Sequence, residues 1–204
     1  MKFCYSRLKY LFVAVSINFL FSASAGLAVG INQELVVNGN FDSGKFGFTS
    51  EYSYQSDKIC NAGDYTVTND LWSVRINGDA RCKPFARCGD HTTGSGNMLV
   101  ADGSKVQAIW KQTINNIDKE GVYKFEFFAT YVSDSGDRAP SFQVQINGRD
   151  LEVVYLTPDQ CHWQKFVVMW ESGQATTANL SIITAKNEVY WNDFALDDVS
   201  FKLY

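Results

Sequence analysis

Between Tyr123 and Tyr131 the chain reads Tyr-Lys-Phe-Glu-Phe-Phe-Ala-Thr-Tyr. In an extended chain Tyr123, Phe125, Phe127, Ala129 and Tyr131 share one face, with Lys124, Glu126 and Thr130 on the other. Helical winding would scatter the same residues around the axis. The period of two therefore predicts a half-buried β-strand, with Phe128 as the one apolar residue on the polar side. The period returns at Phe142, Val144 and Ile146, followed by Asn147-Gly148, a dipeptide suited to a hairpin turn. It returns again at Phe166, Val168 and Trp170, and at Ala178, Leu180 and Ile182. Glu34 to Val37, Met98 to Ala101, Val106 to Ile114 and Leu196 to Leu203 are further strand candidates. No stretch carries a helical period. Strands with one apolar face must stack in pairs to cover it, so the expected fold is all-β, an antiparallel β-sandwich.

Composition agrees. Hydrophobic residues make up 46% of the 204 and aromatic residues 15%, which excludes a disordered chain. The net charge of −4 speaks against nucleic acid as a partner, because phosphate contacts need a basic face. Phe48 to Gly96 differs from the rest, being rich in Gly, Asp, Tyr and Ser, and reads as long loops with a few short strands.

The first residues do not belong to the sandwich. Lys2, Arg7 and Lys9 precede an apolar run from about Tyr10 to Phe21, and Ser22-Ala-Ser-Ala25 fits a cleavage site after Ala25. Residues 1–25 read as a secretory signal peptide; the run is too short for a membrane anchor, which takes about 20 apolar residues. Nothing later in the chain is apolar enough to span a bilayer. Residues 26–204 are then expected as one sandwich domain, secreted or periplasmic, with 15 basic and 22 acidic residues.

Export turns the cysteines into a disulfide question. Cys4 leaves with the signal, and Cys60, Cys82, Cys88 and Cys161 remain. Two disulfides are expected in an oxidising compartment, with three pairings open. The short spacing favours Cys82 with Cys88, leaving Cys60 for Cys161; Cys60 with Cys82 or Cys88 is the rival. Zinc is disfavoured, because no C-x-x-C pair is present and His91 is the only nearby histidine.

Three segments resemble a known family. They are Leu35-Val-Val-Asn-Gly-Asn-Phe-Asp-Ser-Gly44, Asp90-His-Thr-Thr-Gly-Ser-Gly-Asn-Met-Leu-Val-Ala-Asp-Gly103 with Ile109-Trp-Lys-Gln-Thr-Ile114, and Trp191-Asn-Asp-Phe-Ala-Leu-Asp-Asp-Val-Ser-Phe201. Together they resemble the galactose-binding-like β-sandwich superfamily, in particular secreted bacterial modules related to xylan- and glucan-binding carbohydrate modules. The resemblance implies a jelly roll whose first and last strands lie side by side, often a structural calcium ion, and glycan binding in some members. It implies Asp42 and Asp197 as calcium ligands, with Asp198 weaker. Asp197 and Asp198 face opposite ways along a regular strand, so a bulge is needed to bring both to one ion. The alternative is that these carboxylates cap turns and accept backbone amides. For Asp90-His91-Thr92-Thr93-Gly94 the favoured reading is such an Asx-turn rather than a ligand contact.

Sugar recognition needs exposed rings that stack on pyranose faces, bordered by amides that grip hydroxyls. Tyr52, Tyr54, Tyr65 and Trp72 lie in the polar, loop-rich segment and are the candidate rings. Gln143 and Gln145 lie on a polar strand face and are the candidate amides. Trp110, Trp163 and Trp170 fall in apolar patterns and are expected in the core. No G-x-S-x-G elbow is present, and Cys161 beside His162 suits a disulfide better than a nucleophile. The sequence thus points to a non-catalytic module whose partner is a polysaccharide or other glycan. A structural or adhesive module that contacts a surface protein is the alternative, and a glycan hydrolase the third reading.

Overall fold

The computed structural model describes residues 28–74, 85–133, 138–185 and 192–204. The signal segment and Cys82 lie outside them. No helix occurs among the described residues. In chain order the strands are β1 (Ser53–Tyr54), β2 (Asp64–Thr68), β3 (Met98–Ala101), β4 (Ala108–Asn115), β5 (Val122–Tyr131), β6 (Ser141–Ile146), β7 (Arg149–Tyr155), β8 (Gln164–Glu171), β9 (Thr177–Thr184) and β10 (Phe194–Leu203). They form a six-stranded sheet, β1-β2-β3-β10-β5-β8, and a four-stranded sheet, β4-β9-β6-β7. Every pairing among these strands is antiparallel except β1 with β2.

The period of two does what the sequence predicts. Tyr123, Phe125, Phe127, Ala129 and Tyr131 of β5 are buried between the sheets. They meet Phe142, Val144 and Ile146 of β6, Leu180 and Ile182 of β9, and Phe194, Leu196 and Phe201 of β10 in one core. Phe127 packs edge-on against Phe142, with centroids 6.0 Å apart, and Tyr123 stacks on Phe201 at 4.9 Å. Asn147 and Gly148 both have positive φ, 53° and 74°, as the tight β6–β7 hairpin requires. Trp110 and Trp170 are core residues, and Trp163 is half-buried with its indole N–H donating to the Gly89 carbonyl.

A second, smaller core lies outside the six-stranded sheet. Met98 and Val100 of β3 and Ala195 of β10 turn outward and are covered by Ile59, Leu71, Val74, Phe85 and Cys88. This explains why β3 is an unbroken apolar run: both of its faces are buried. The Cys88–Cys161 disulfide fastens this covering segment to the loop before β8. Cys60 is disulfide-bonded as well. The expected Cys82–Cys88 staple with Cys60–Cys161 is therefore corrected. The second core brings Cys88 over the sheet beside the loop that carries Cys161, although the two are 73 residues apart.

Glu34 to Val37 is not a strand, which corrects another expectation. Its carboxylate accepts the N–H groups of Leu35, Val36 and Phe201, which occupies donors that a ladder would use. The segment still runs beside β10, where Leu35 N–H donates to the Phe201 carbonyl and Val199 N–H to the Gly39 carbonyl. The head and tail of the sandwich meet here. A Cβ on Gly39 would stand 1.9 Å from the Val199 carbonyl oxygen, so a glycine at 39 is a requirement of the seam.

Candidate functional site

The outward face of the four-stranded sheet is mostly polar, with Ile183, Val153 and Tyr155 as apolar members. Register places Lys111 beside Ser181, Ser181 beside Gln145, and Gln145 beside Asp150. One row over, Thr113 lies beside Asn179. On the other side, Ile183 pairs with Gln143 and Gln143 with Val153. The inward neighbours Ile114, Leu180, Ile182, Val144 and Val154 are core residues, so the sheet is backed by a packed layer. The amides are held in place. Gln143 Nε2 donates to the Val144 and Glu152 carbonyls, and Gln145 Nε2 donates to Asp150 Oδ1 at 2.6 Å. Thr113 Oγ1 donates to Asn179 Oδ1 at 2.8 Å. At the β4 edge, Gly47, Phe48 and Thr49 run alongside and enclose a groove of about 350 Å³ floored by Lys111, Gln112, Thr113, Asn179 and Ser181. At the β7 edge stands Tyr155, 67% exposed, next to Val153 on the same face.

This arrangement keeps two of the residues expected from sequence and separates the others from them. Gln143 and Gln145 lie on the polar face as predicted. Tyr52 and Tyr65, expected as exposed rings, are buried. The Tyr52 hydroxyl shares a hydrogen bond with Thr184 Oγ1, and burial pushes the phenols of Tyr52 and Tyr65 up to about 12. Tyr65 is buried because Asp64–Thr68 forms a strand inside a polar-looking segment, and Tyr52 because the stretch before β1 turns it in to Thr184. Tyr54 and Trp72 are exposed, 37% and 39%. However, Tyr54 sits on the edge strand of the other sheet with Lys45 above its ring, and Trp72 sits in a loop under Arg87. They do not share a surface strand with the glutamines. Tyr155 was missed because β7 lacks a clear period: Leu151, Glu152 and Val153 follow a bulge between Val144 and Gln145 of its partner.

The second cluster lies at the head-to-tail seam. The β5–β10 register shifts between Asp197 and Ser200, and Asp198 sits at φ 47°. This bulge turns both carboxylates to the same loop. Asp197 Oδ2 accepts the N–H groups of His91 (2.8 Å) and Thr92 (3.2 Å), and its Oδ1 accepts the Asp198 N–H. Asp198 accepts the Thr92 hydroxyl on Oδ1 and lies 2.6 Å from His91 Nδ1 through Oδ2. The His91 ring stacks on Phe128, with centroids 3.5 Å apart. Asp90 accepts the Thr93 and Gly96 N–H groups, the Asx-type turn expected from sequence. Asp42 Oδ1 accepts the Asn97 N–H, and Asp42 Oδ2 accepts from Asn40 Nδ2. Burial drives the Asp197 carboxyl up to about 7, and the adjacent Asp198 charge adds to the rise. The Asp198, His91 and Thr92 amides oppose it.

Asp42, Asp197 and Asp198 are the residues expected to hold calcium. Here their oxygens face N–H and O–H donors of the protein. Among the described residues no three or more His, Cys, Asp or Glu side chains gather where they could hold a metal ion. Beside the seam, a groove of about 470 Å³ runs past Glu34, Asn38, Asn40, Glu126, Phe128 and Asp198. Its charges are paired: Lys124 and Lys165 flank Glu126 at 3.0 and 3.1 Å, and Lys202 lies 3.4 Å from Glu34. Burial raises the Glu126 carboxyl, but the two lysines more than offset that and hold it below the usual range.

No protein-family model matches the chain, and no curated protein matches it. Solved structures do. The CBM22-1 xylan-binding domain of Xyn10C from Paenibacillus barcinonensis superposes with a TM-score of 0.53 at 13% identity, covering 86% of this chain and 96% of that one. TmCBM61 in complex with β-1,4-galactotriose superposes with 0.52 at 12% identity, covering 84% and 99%. The Stig cyclase Fisc from Fischerella sp. TAU superposes with 0.56 at 12% identity, covering 87% and 98%. The chain spans 21% of the bacteriophage CBA120 tailspike protein 4 domain and 47% of the CBM22-1–CBM22-2 tandem domain that it also matches. Identities this low speak to fold alone. The chain has a two-sheet β-sandwich fold, shared with these carbohydrate-binding modules and with the cyclase.

Proposed function

We propose that the protein is a secreted, non-catalytic carbohydrate-binding module, and that its binding surface is the outward face of β4, β9, β6 and β7. The observation that carries this reading is the set of uncharged hydrogen-bonding side chains on that face: Gln143, Gln145, Asn179, Ser181 and Thr113. They are backed by a packed core and bordered by the exposed ring of Tyr155. Rings of a glycan chain would rest on Tyr155, Val153 and Ile183, while the amides and hydroxyls exchange hydrogen bonds with sugar hydroxyls. Preformed amides lose little freedom on binding, which favours affinity.

Secretion is supported by the N-terminal signal pattern and by the Cys88–Cys161 disulfide. No helix among the described residues is long and apolar enough to cross a membrane. A panel of soluble and insoluble polysaccharides tests the reading. Binding that falls about tenfold or more on Tyr155→Ala or Gln143→Ala, and is unchanged on Trp72→Ala, is the expected result. Binding to no glycan, with a protein partner captured instead, favours the adhesive alternative. Turnover of a chromogenic glycoside by the purified chain favours the hydrolase.

A further inference from the structure

Four carboxylates converge on one eight-residue loop, Asp90 to Asn97. Asp42 takes the Asn97 N–H, Asp90 takes Thr93 and Gly96, Asp197 takes His91 and Thr92, and Asp198 takes the Thr92 hydroxyl and faces the His91 ring. Gly96 is wedged between Asp90 and Asp42. A Cβ there would stand 2.8 Å from Asp90 Oδ2 and 3.1 Å from Asp42 Oδ1. Acidic groups crowded at a seam repel one another unless something positive joins them. A divalent cation can do this by taking six to eight oxygens. Here the same oxygens point at backbone amides and at the Thr92 and Thr93 hydroxyls, which carry partial positive charge, and at the His91 ring.

We propose that the Asp90–Asn97 loop acts as a peptide strap in place of a cation, so that the head-to-tail seam closes without bound metal. The bulge at Asp198 is the device that makes this work. A regular strand would send Asp198 to the opposite side from Asp197, and only one of them would reach the strap. His91 adds a flat ring that covers Phe128 while its Nδ1 meets Asp198. Thr92 ties the two carboxylates together, its Oγ1 lying 3.3 Å from Asp197 Oδ2 and 2.8 Å from Asp198 Oδ1. The inference stands apart from the glycan reading, because the strap packs against β5 and β10 of the other sheet.

The test uses the purified, disulfide-intact mature chain. Its melting temperature is measured as purified, after exhaustive EDTA treatment, and after readdition of millimolar calcium, with calcium titrated calorimetrically in parallel. The expected result is the same midpoint in all three, within about 1 °C, and no saturable calcium heat. Thr92→Val and His91→Ala should each lower the midpoint by about 2–6 °C, equally with and without EDTA. A midpoint that falls in EDTA and returns with calcium, or a stoichiometric calcium isotherm, overturns the proposal. So does a Thr92→Val chain that melts with the wild type. Should either variant fail to fold, the wild-type chelation and calorimetry decide alone.

Discussion

His91 Nδ1 lies 2.6 Å from Asp198 Oδ2, joining residues 107 positions apart across the seam of the sandwich. The contact depends on a left-handed backbone at Asp198, a conformation that Asp and Asn tolerate better than most residues. Asp198→Ala removes both contacts to the strap and leaves an alanine at positive φ. It should cost about 2 kcal/mol, read as a midpoint lower by about 4–8 °C. Asp198→Asn should lose less, since it tolerates the backbone and still accepts from Thr92. Equal melting of Asp198→Ala and the wild type would show that the contact does not hold the loop.

The other half of the seam is steric. Gly39→Ala places a methyl group 1.9 Å from the Val199 carbonyl oxygen, where backbone on both sides must move. A loss of about 3 kcal/mol or more is expected, measured by urea unfolding. Gly148→Ala, with open space around its Cβ but φ at 74°, should cost about 1 kcal/mol.

Cys88–Cys161 closes a long loop and clamps the second core to the six-stranded sheet. Replacing both cysteines by serine should destabilise the chain by about 2–5 kcal/mol. Non-reducing peptide mapping should recover Cys88 and Cys161 in one fragment pair. Recovery of Cys88 with Cys82 would contradict the arrangement.

Glu126 gives a pH signature with a defined sign. Burial alone would raise its carboxyl, but Lys124 and Lys165 hold it below the unfolded value. A carboxyl depressed in the folded state adds stability above its unfolded pKa, near 4.3, and loses it as pH falls through the folded pKa. The urea midpoint of the wild type should therefore drop as pH falls below about 4.5, and Glu126→Gln should drop less steeply. Parallel curves would show that the lysine pair contributes nothing.

Strand positions were legible where one face is apolar and the other polar. β5, β6, β8 and β9 announce themselves because each strand shields a core on one side only. β3 shows as an unbroken run for the opposite reason, being covered on both sides. Glu34 to Val37 misled because the Glu34 carboxylate takes amides that a ladder would need, which a short apolar run does not reveal. Tyr52 and Tyr65 misled because they sit in a polar, loop-rich segment, where the short Tyr65–Val67 alternation of β2 is only two apolar residues long. The carboxylates of the seam were legible as a cluster. What satisfies them was not, because His91 and Thr92 reach them only through the Asp198 bulge. Gln143 and Gln145 were found by alternation, whereas Tyr155 sits beyond a bulge that erases it.

The surface assigned to glycan binding is tested most directly by amide chemical-shift mapping of the mature chain during titration with soluble xylan, β-glucan and galactan oligosaccharides. Saturable shifts are expected at Gln143, Gln145, Asn179, Ser181 and Tyr155 with at least one of them, lost in Tyr155→Ala. Shifts centred on Tyr54 or Trp72, or none with any glycan, would contradict it.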